Sequence, residues 1–164
     1  MSKSNFERMI ALAQNVFAAK SDPEQLDVDE EVIKQLEALH PASVSEYEEG
    51  EGPAIWMLLI PTTKKIMDDF LTKNINEKEI LSLTPLNTSY DSLYLCSAMT
   101  LPEYRGKGLS KKIALDAIKA IRKDHPISHL FVWPFTKEGD ALAQSLATTC
   151  GLPLLSRKSD HSFI

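Results

Sequence analysis

Apolar residues first recur at helical spacing, with Phe6, Met9, Ile10, Ala13, Val16 and Phe17 on one face and Ser4 and Glu7 forming a capping box. Ser21-Asp22-Pro23 ends this helix. A second begins near Asp29, turns Val32, Ile33, Leu36 and Leu39 inward, and stops at His40-Pro41, because a proline disfavours helix at the residue before it. From Ala42 the period becomes two: Val44, Glu46 and Glu48 share one face, Ser43, Ser45 and Tyr47 the other, until EEGEGP at 48–53 supplies a turn. The continuous apolar run AIWMLLI at 54–60 reads as a strand buried on both faces, paired with its predecessor as a hairpin and closed by Pro61.

Ile66, Met67, Phe70 and Leu71 then share a helical face, and Asn76 can cap a shorter helical turn carrying Ile80 and Leu81. After the loop at 84–92, a long strand over 93–101 leads through Pro102-Glu103-Tyr104 and a glycine turn into a helix bearing Ile113, Ala114, Ala117, Ile118 and Ile121. His125-Pro126 precedes a strand over 127–133; a helix over 139–150 follows, with Gly151 at the left-handed residue after it. A strand over 152–157 and a brief one over 161–164 complete the order. Strands joined both by hairpin and by helical crossover predict an α/β (α+β) fold, a mixed central sheet with helices on both faces.

The chain has 164 residues, the size of one ordinary domain of ~100–200 residues, so 1–164 is read as a single unit. Its 43% hydrophobic content supplies a core. The net charge of −5 argues against a general nucleic-acid binder. Glu7, Arg8, Gln14 and Asn15 interrupt the amino end, and no run approaches the ~20 apolar residues of a membrane span. Cys96 and Cys150 are too few for a disulfide framework, which points to a reducing, cytoplasmic setting. His40, His125 and His129 lack ligand spacing with another His or Cys, so no metal is expected.

The most informative segment is Arg105-Gly106-Lys107-Gly108-Leu109-Ser110. Its glycines let the backbone turn tightly against a ligand, while the first amides of the next helix lack internal partners at the positive end of its dipole. Such a turn suits an anion. From 101 to 125 there are seven Lys or Arg against three Asp or Glu, so a polyphosphate is the natural occupant. Neither GxxxxGK[ST] nor GxGxxG is present, which excludes a P-loop and a dinucleotide fingerprint.

The stretch LCSAMTLPEYRGKGLSKKIALDAI at 95–118 resembles motif A of the GCN5-related N-acetyltransferases, whose (Q/R)-x-x-G-x-(G/A) turn cradles the pyrophosphate of acetyl-coenzyme A. Arg105 matches the first position and Gly108 the glycine; Ser110 replaces the final small residue. The order of elements is similar over nearly the whole chain. It departs in lacking a clear strand before the opening helix, in an extra helical insertion at about 62–82, and in a short carboxyl end. The resemblance implies that Ala98, Met99 and Thr100 offer main-chain contacts to pantetheine, that Arg105 to Ser110, including Gly106, Lys107 and Leu109, hold the phosphates, and that acetyl passes to a primary amine.

The family's tyrosine proton donor falls on Ala147 and its usual asparagine on Asp140, so neither role carries over. Tyr94, Gln144 and Cys150 are substitute candidates. Residues 21–52 hold eleven Asp or Glu and one Lys, a local balance of −10. In the resembling fold this region borders the acceptor. A small cationic amine fits it, or a protein amine, with Glu46 and Glu48 as base candidates and Asp91 behind them. Edge strands near the carboxyl end would let two copies form a homodimer. Ordinary alternatives stand beside these roles: Glu46 and Glu48 as a solvated strand face, Tyr94 and Cys96 as core, and Lys111 and Lys112 as helix exterior. A catalytically silent coenzyme A binding or interaction module is the competing function, and a cradle for another phosphate compound is a third.

Overall fold

The computed structural model describes residues 7–9, 11–12, 30–49, 52–134 and 137–158. Five strands form one sheet in the order β1 (Val44–Glu48), β2 (Pro53–Thr62), β3 (Ser92–Thr100), β4 (His129–Val132) and β5 (Leu154–Ser156). The hairpin half, β1 to β3, is antiparallel; the crossover half, β3 to β5, is parallel. The sheet is therefore mixed. All ten residues of β2 are buried, which is why its sequence runs apolar without alternation.

Pro61 does not close β2, which continues to Thr62. β1 pairs with β2 only as far as Leu58, so Pro61 has a strand on one side alone and its missing N–H breaks no ladder there. The expected strands at 127–133 and 152–157 shrink to β4 and β5. Before β4, the amides of Ser128 and His129 donate instead to the Asp91 carbonyl. Period two begins at Val44 rather than Ala42, because Pro41–Ser43 is a single 3-10 turn whose first free amide, that of Ala42, donates to His40 Nδ1 at 3.0 Å. Ser4, most of the first helix and the strand expected at 161–164 lie outside the described residues.

Five helices have defined ends: α1 (Glu30–Leu39), α2 (Lys64–Leu71), α3 (Glu77–Leu83), α4 (Leu109–Asp124) and α5 (Lys137–Cys150); residues 7–9 and 11–12 are helical as well. The insertion is two short helices with separate caps. Thr63 Oγ1 accepts from the Ile66 amide, and Asn76 with Glu79 makes a complete capping box. Neighbouring strand residues point to opposite faces. Phe70 of α2 packs edge-on against Tyr94 and Phe131, so the insertion covers one face, while α5 covers the face carrying Leu95 and Val132. Among the described residues no helix is long and apolar enough to cross a membrane.

Candidate functional site

The site begins with an irregularity in β3. Leu58 of β2 pairs with Ser97, but the next residue, Leu59, pairs with Leu95, leaving Cys96 as an extra residue. Such a bulge bends and twists the strand that carries it. β3 and β4 then pair only from Ser92 to Tyr94 and separate beyond Phe131. A cavity of about 270 Å³ occupies the gap, lined by Met57, Leu59, Leu95, Cys96, Ser97 and Ala98 on the sheet side, by Val132, Trp133 and Pro134, and by Gly139, Leu142, Ala143 and Leu146 of α5. Among these lining side chains the cysteine alone can ionise.

At the open end β3 runs into the glycine turn. Gly106 and Gly108 have φ of 75° and 73°, the left-handed region that glycine enters without penalty. A Cβ at either would meet no atom within 4 Å, so conformation rather than protein packing demands glycine. The first bond of α4 runs from the Lys112 amide to the Gly108 carbonyl, and no carbonyl or side chain among the described residues accepts from the amides of Gly106 to Lys111. Arg105 and Lys107 are exposed beside them.

Several contacts hold this turn. Arg105 Nε donates to the Thr100 carbonyl at 3.0 Å, and the hydroxyls of Thr100 and Ser110 meet at 2.8 Å, stapling the strand end to the helix start. The serine that breaks the family pattern thus has a structural partner. Lys107 Nζ lies 5.7 Å from the Tyr104 ring centroid, and Tyr104 packs edge-on against Tyr47. Arg8 grips Glu103 with two bonds of 2.8 and 2.6 Å, lowering that carboxyl from 4.5 to about 2.

Main-chain direction divides the three residues expected to touch pantetheine. The Leu101 amide donates to Ala54 of the β2 side, so Met99, two residues earlier, also turns its N–H and C=O toward β2. Ala98 and Thr100 turn theirs toward the gap. Met99 is thereby removed as a main-chain contact, and its side chain is buried. Leu109 is half-buried and packs on the core.

The candidate acids and bases are not gathered at the cleft. Tyr94 is buried on the opposite face, its hydroxyl donating to the buried Glu77 carboxylate; burial, then Glu77, holds its pKa well above the ordinary value. Glu46 is exposed and accepts from Trp56 Nε1 at 2.9 Å; it shares a sheet face with Trp56, whereas the cleft is lined by Met57 and Leu59. Glu48 is exposed at the edge of β1, at the irregularity after Tyr47. Cys150 lines a separate pocket with Leu115, Ile118 and Arg122 of α4, away from the cleft, and burial raises its thiol pKa. Asp91 stands at the other end of β3, its carbonyl accepting from Ser128 and His129, and is not behind Glu46 and Glu48. Ala147 is buried one residue beyond the cleft-lining Leu146, and Gln144 is engaged with Asp140 at 2.9 Å.

Sequence reasoning passed over Trp133 and the bulge at Cys96 and Ser97. Nothing in the 93–101 pattern marks a bulge, because a register shift shows only against the partner strand. Among the described residues no group of three or more His, Cys, Asp or Glu is placed to hold a metal. Compared with known proteins, the chain matches no family model, no curated protein and no solved structure.

Proposed function

We propose that the protein binds acetyl-coenzyme A, with its phosphates on the glycine turn and its pantetheine arm in the gap between β3 and β4, and transfers acetyl to a primary amine. The observation that carries this reading is the row of amides from Gly106 to Lys111, without an acceptor among the described residues, at the end of the strand that edges an apolar gap. Backbone donors at a helix start suit a diphosphate, and a narrow apolar gap edged by the main-chain groups of Ala98 and Thr100 suits an arm of alternating methylenes and amides. The fit favours a thioester over a free nucleotide, which would leave the gap unfilled.

In the proposed reaction the neutral amine forms its new bond to the acetyl carbon as the carbon–sulfur bond breaks. The Ala98 amide, free of the β2 ladder, is the donor available to the thioester oxygen. The thiolate leaves and takes a proton from solvent, and the proton lost by the amine passes to water. A thiolate is a good enough leaving group to depart without a positioned acid, which accommodates alanine at 147. The acidic stretch at 21–52, including Glu46 and Glu48, favours a small cationic acceptor. Two cysteines, too few for a disulfide framework, fit the cytoplasm.

A second reading is a coenzyme A binding module without turnover, favoured by the placement of Ala147 and of every candidate base outside the cleft lining. Calorimetry and thiol-release assays separate the two. Acetyl-coenzyme A should bind the wild type, and Gly108→Trp should abolish binding by filling the open space above the turn; retained binding in that variant would refute the cradle. Thiol release with polyamines, amino acids or aminoglycosides supports transfer, whereas binding with no release on any amine supports the module. Displacement of acetyl-coenzyme A by ATP would point instead to a general phosphate cradle.

A further inference from the structure

Trp133 belongs to two environments. The residue is one of those that line the cleft, and its ring packs edge-on against Phe70, centroids 6.0 Å apart, on the side of the sheet covered by the helical insertion. It therefore stands at the gap that opens where β3 and β4 stop pairing, between the cleft and the insertion. Extending the register of Tyr94 with Phe131 sets Trp133 level with Cys96, at the inner end of the cleft, while the glycine turn lies at the other. A chain threaded inward from the turn meets Trp133 last.

Arg157 holds the ring. Its guanidinium lies 4.5 Å from the Trp133 centroid and 4.6 Å from that of Phe70, and the residue is 2% exposed. Nη1 donates to the Ile75 carbonyl at 3.1 Å, and the Arg157 amide donates to Val132 at 2.9 Å, tying the residue to both the insertion and β4. Withdrawing a guanidinium from water is costly unless aromatic faces and hydrogen bonds offset it. Phe70 and Ile75, which supply those contacts, both lie within the insertion at 62–82.

We propose that Trp133 limits the length of acyl chain the cleft accepts, and that Arg157 is the positioning residue that fixes Trp133 in place. The inference rests on the thioester reading and gives the insertion a role as the buttress of the acyl end.

The test compares free, acetyl-, butanoyl- and hexanoyl-coenzyme A by calorimetry on the full chain, as wild type, Trp133→Ala and Arg157→Lys. In the wild type hexanoyl should bind at least about tenfold more weakly than acetyl, because a methylene with no room costs about that much or more. Both variants should reverse the order, and Arg157→Lys should do so while binding free coenzyme A as the wild type does. Lysine keeps the charge but lacks the plane that the two rings face, so a reversal in Arg157→Lys reports the clamp rather than lost charge. Equal binding of all chains by the wild type, or an unchanged order in Arg157→Lys, would overturn the proposal. If neither free coenzyme A nor any thioester binds the wild type, it is the thioester reading that has failed. The clamp is then judged alone, by acrylamide quenching of Trp133 in a Trp56→Phe background, the protein having only these two tryptophans. Increased quenching on Arg157→Lys upholds it and unchanged quenching overturns it. Should Arg157→Lys not fold, Phe70→Leu, which removes one ring of the clamp, replaces it in both measurements with the same outcomes.

Discussion

Tyr94 shows how one side chain can look catalytic in a sequence and be structural in the fold. Its hydroxyl satisfies the buried Glu77 carboxylate, and its ring packs on Phe70 and Phe131. Tyr94→Phe leaves that carboxylate short of a donor, so unfolding in denaturant should show a loss of about 1–3 kcal/mol, with ligand binding intact. Lost binding at unchanged stability would return Tyr94 to the site. Glu103 behaves differently because it is exposed. Arg8 holds its carboxyl at about 2 against an ordinary 4.5. A depressed carboxylate favours the fold above its unfolded value, and that contribution fades as pH falls from about 4.5 through about 2. Side-chain NMR titration should find Glu103 near 2 in the wild type and raised toward 4.5 in Arg8→Ala, where its own backbone amide and Lys107 still favour the carboxylate. Solvent and salt screen this pair, so its use is in anchoring the turn ahead of Arg105 rather than in overall stability.

The elements were legible where local chemistry decides them. Asn76 and Glu79 make the capping box, Gly151 takes φ of 69° after α5, and His40-Pro41 ends α1. Asn76→Ala should lower stability by about 1 kcal/mol, measured as a shift of the unfolding midpoint, since the Glu79 amide loses its acceptor. No change would mean that packing of Ile80 and Leu81 alone holds α3. Strand ends were less legible, because a strand extends only as far as a neighbour pairs with it. β2 outruns Pro61 because β3 accompanies it to Thr62, and β4 is short because Asp91 takes the amides that precede it. The two glycines of the turn were readable as backbone needs, but their open surroundings and the Thr100–Ser110 staple were not.

Taken whole, the molecule sets a basic turn within an acidic chain of net charge −5. If the turn grips a diphosphate, affinity for acetyl-coenzyme A should fall steadily between low and physiological salt, because exposed Arg105 and Lys107 are screened beyond about 8–10 Å. Salt-independent affinity, measured by calorimetry, would assign binding to the apolar gap alone. That gap exists because β3 is held by β2 along its whole length but by β4 for only three residue pairs, and a bulge directs its free half away.

The amino-acid order by itself determined the helices, their caps, the buried run of β2 and the anion-suited turn, since each depends on residues a few positions apart. Which side chains meet was decided only by tertiary structure. Strand register put Tyr94 and Glu46 on faces away from the cleft, carried Cys150 to α4, and brought Phe70, Trp133 and Arg157 together behind it. The reason is physical: period and capping are set by local geometry, whereas a one-residue shift in pairing, as at Cys96, changes which face of a sheet a residue occupies and leaves no mark on the strand's own sequence.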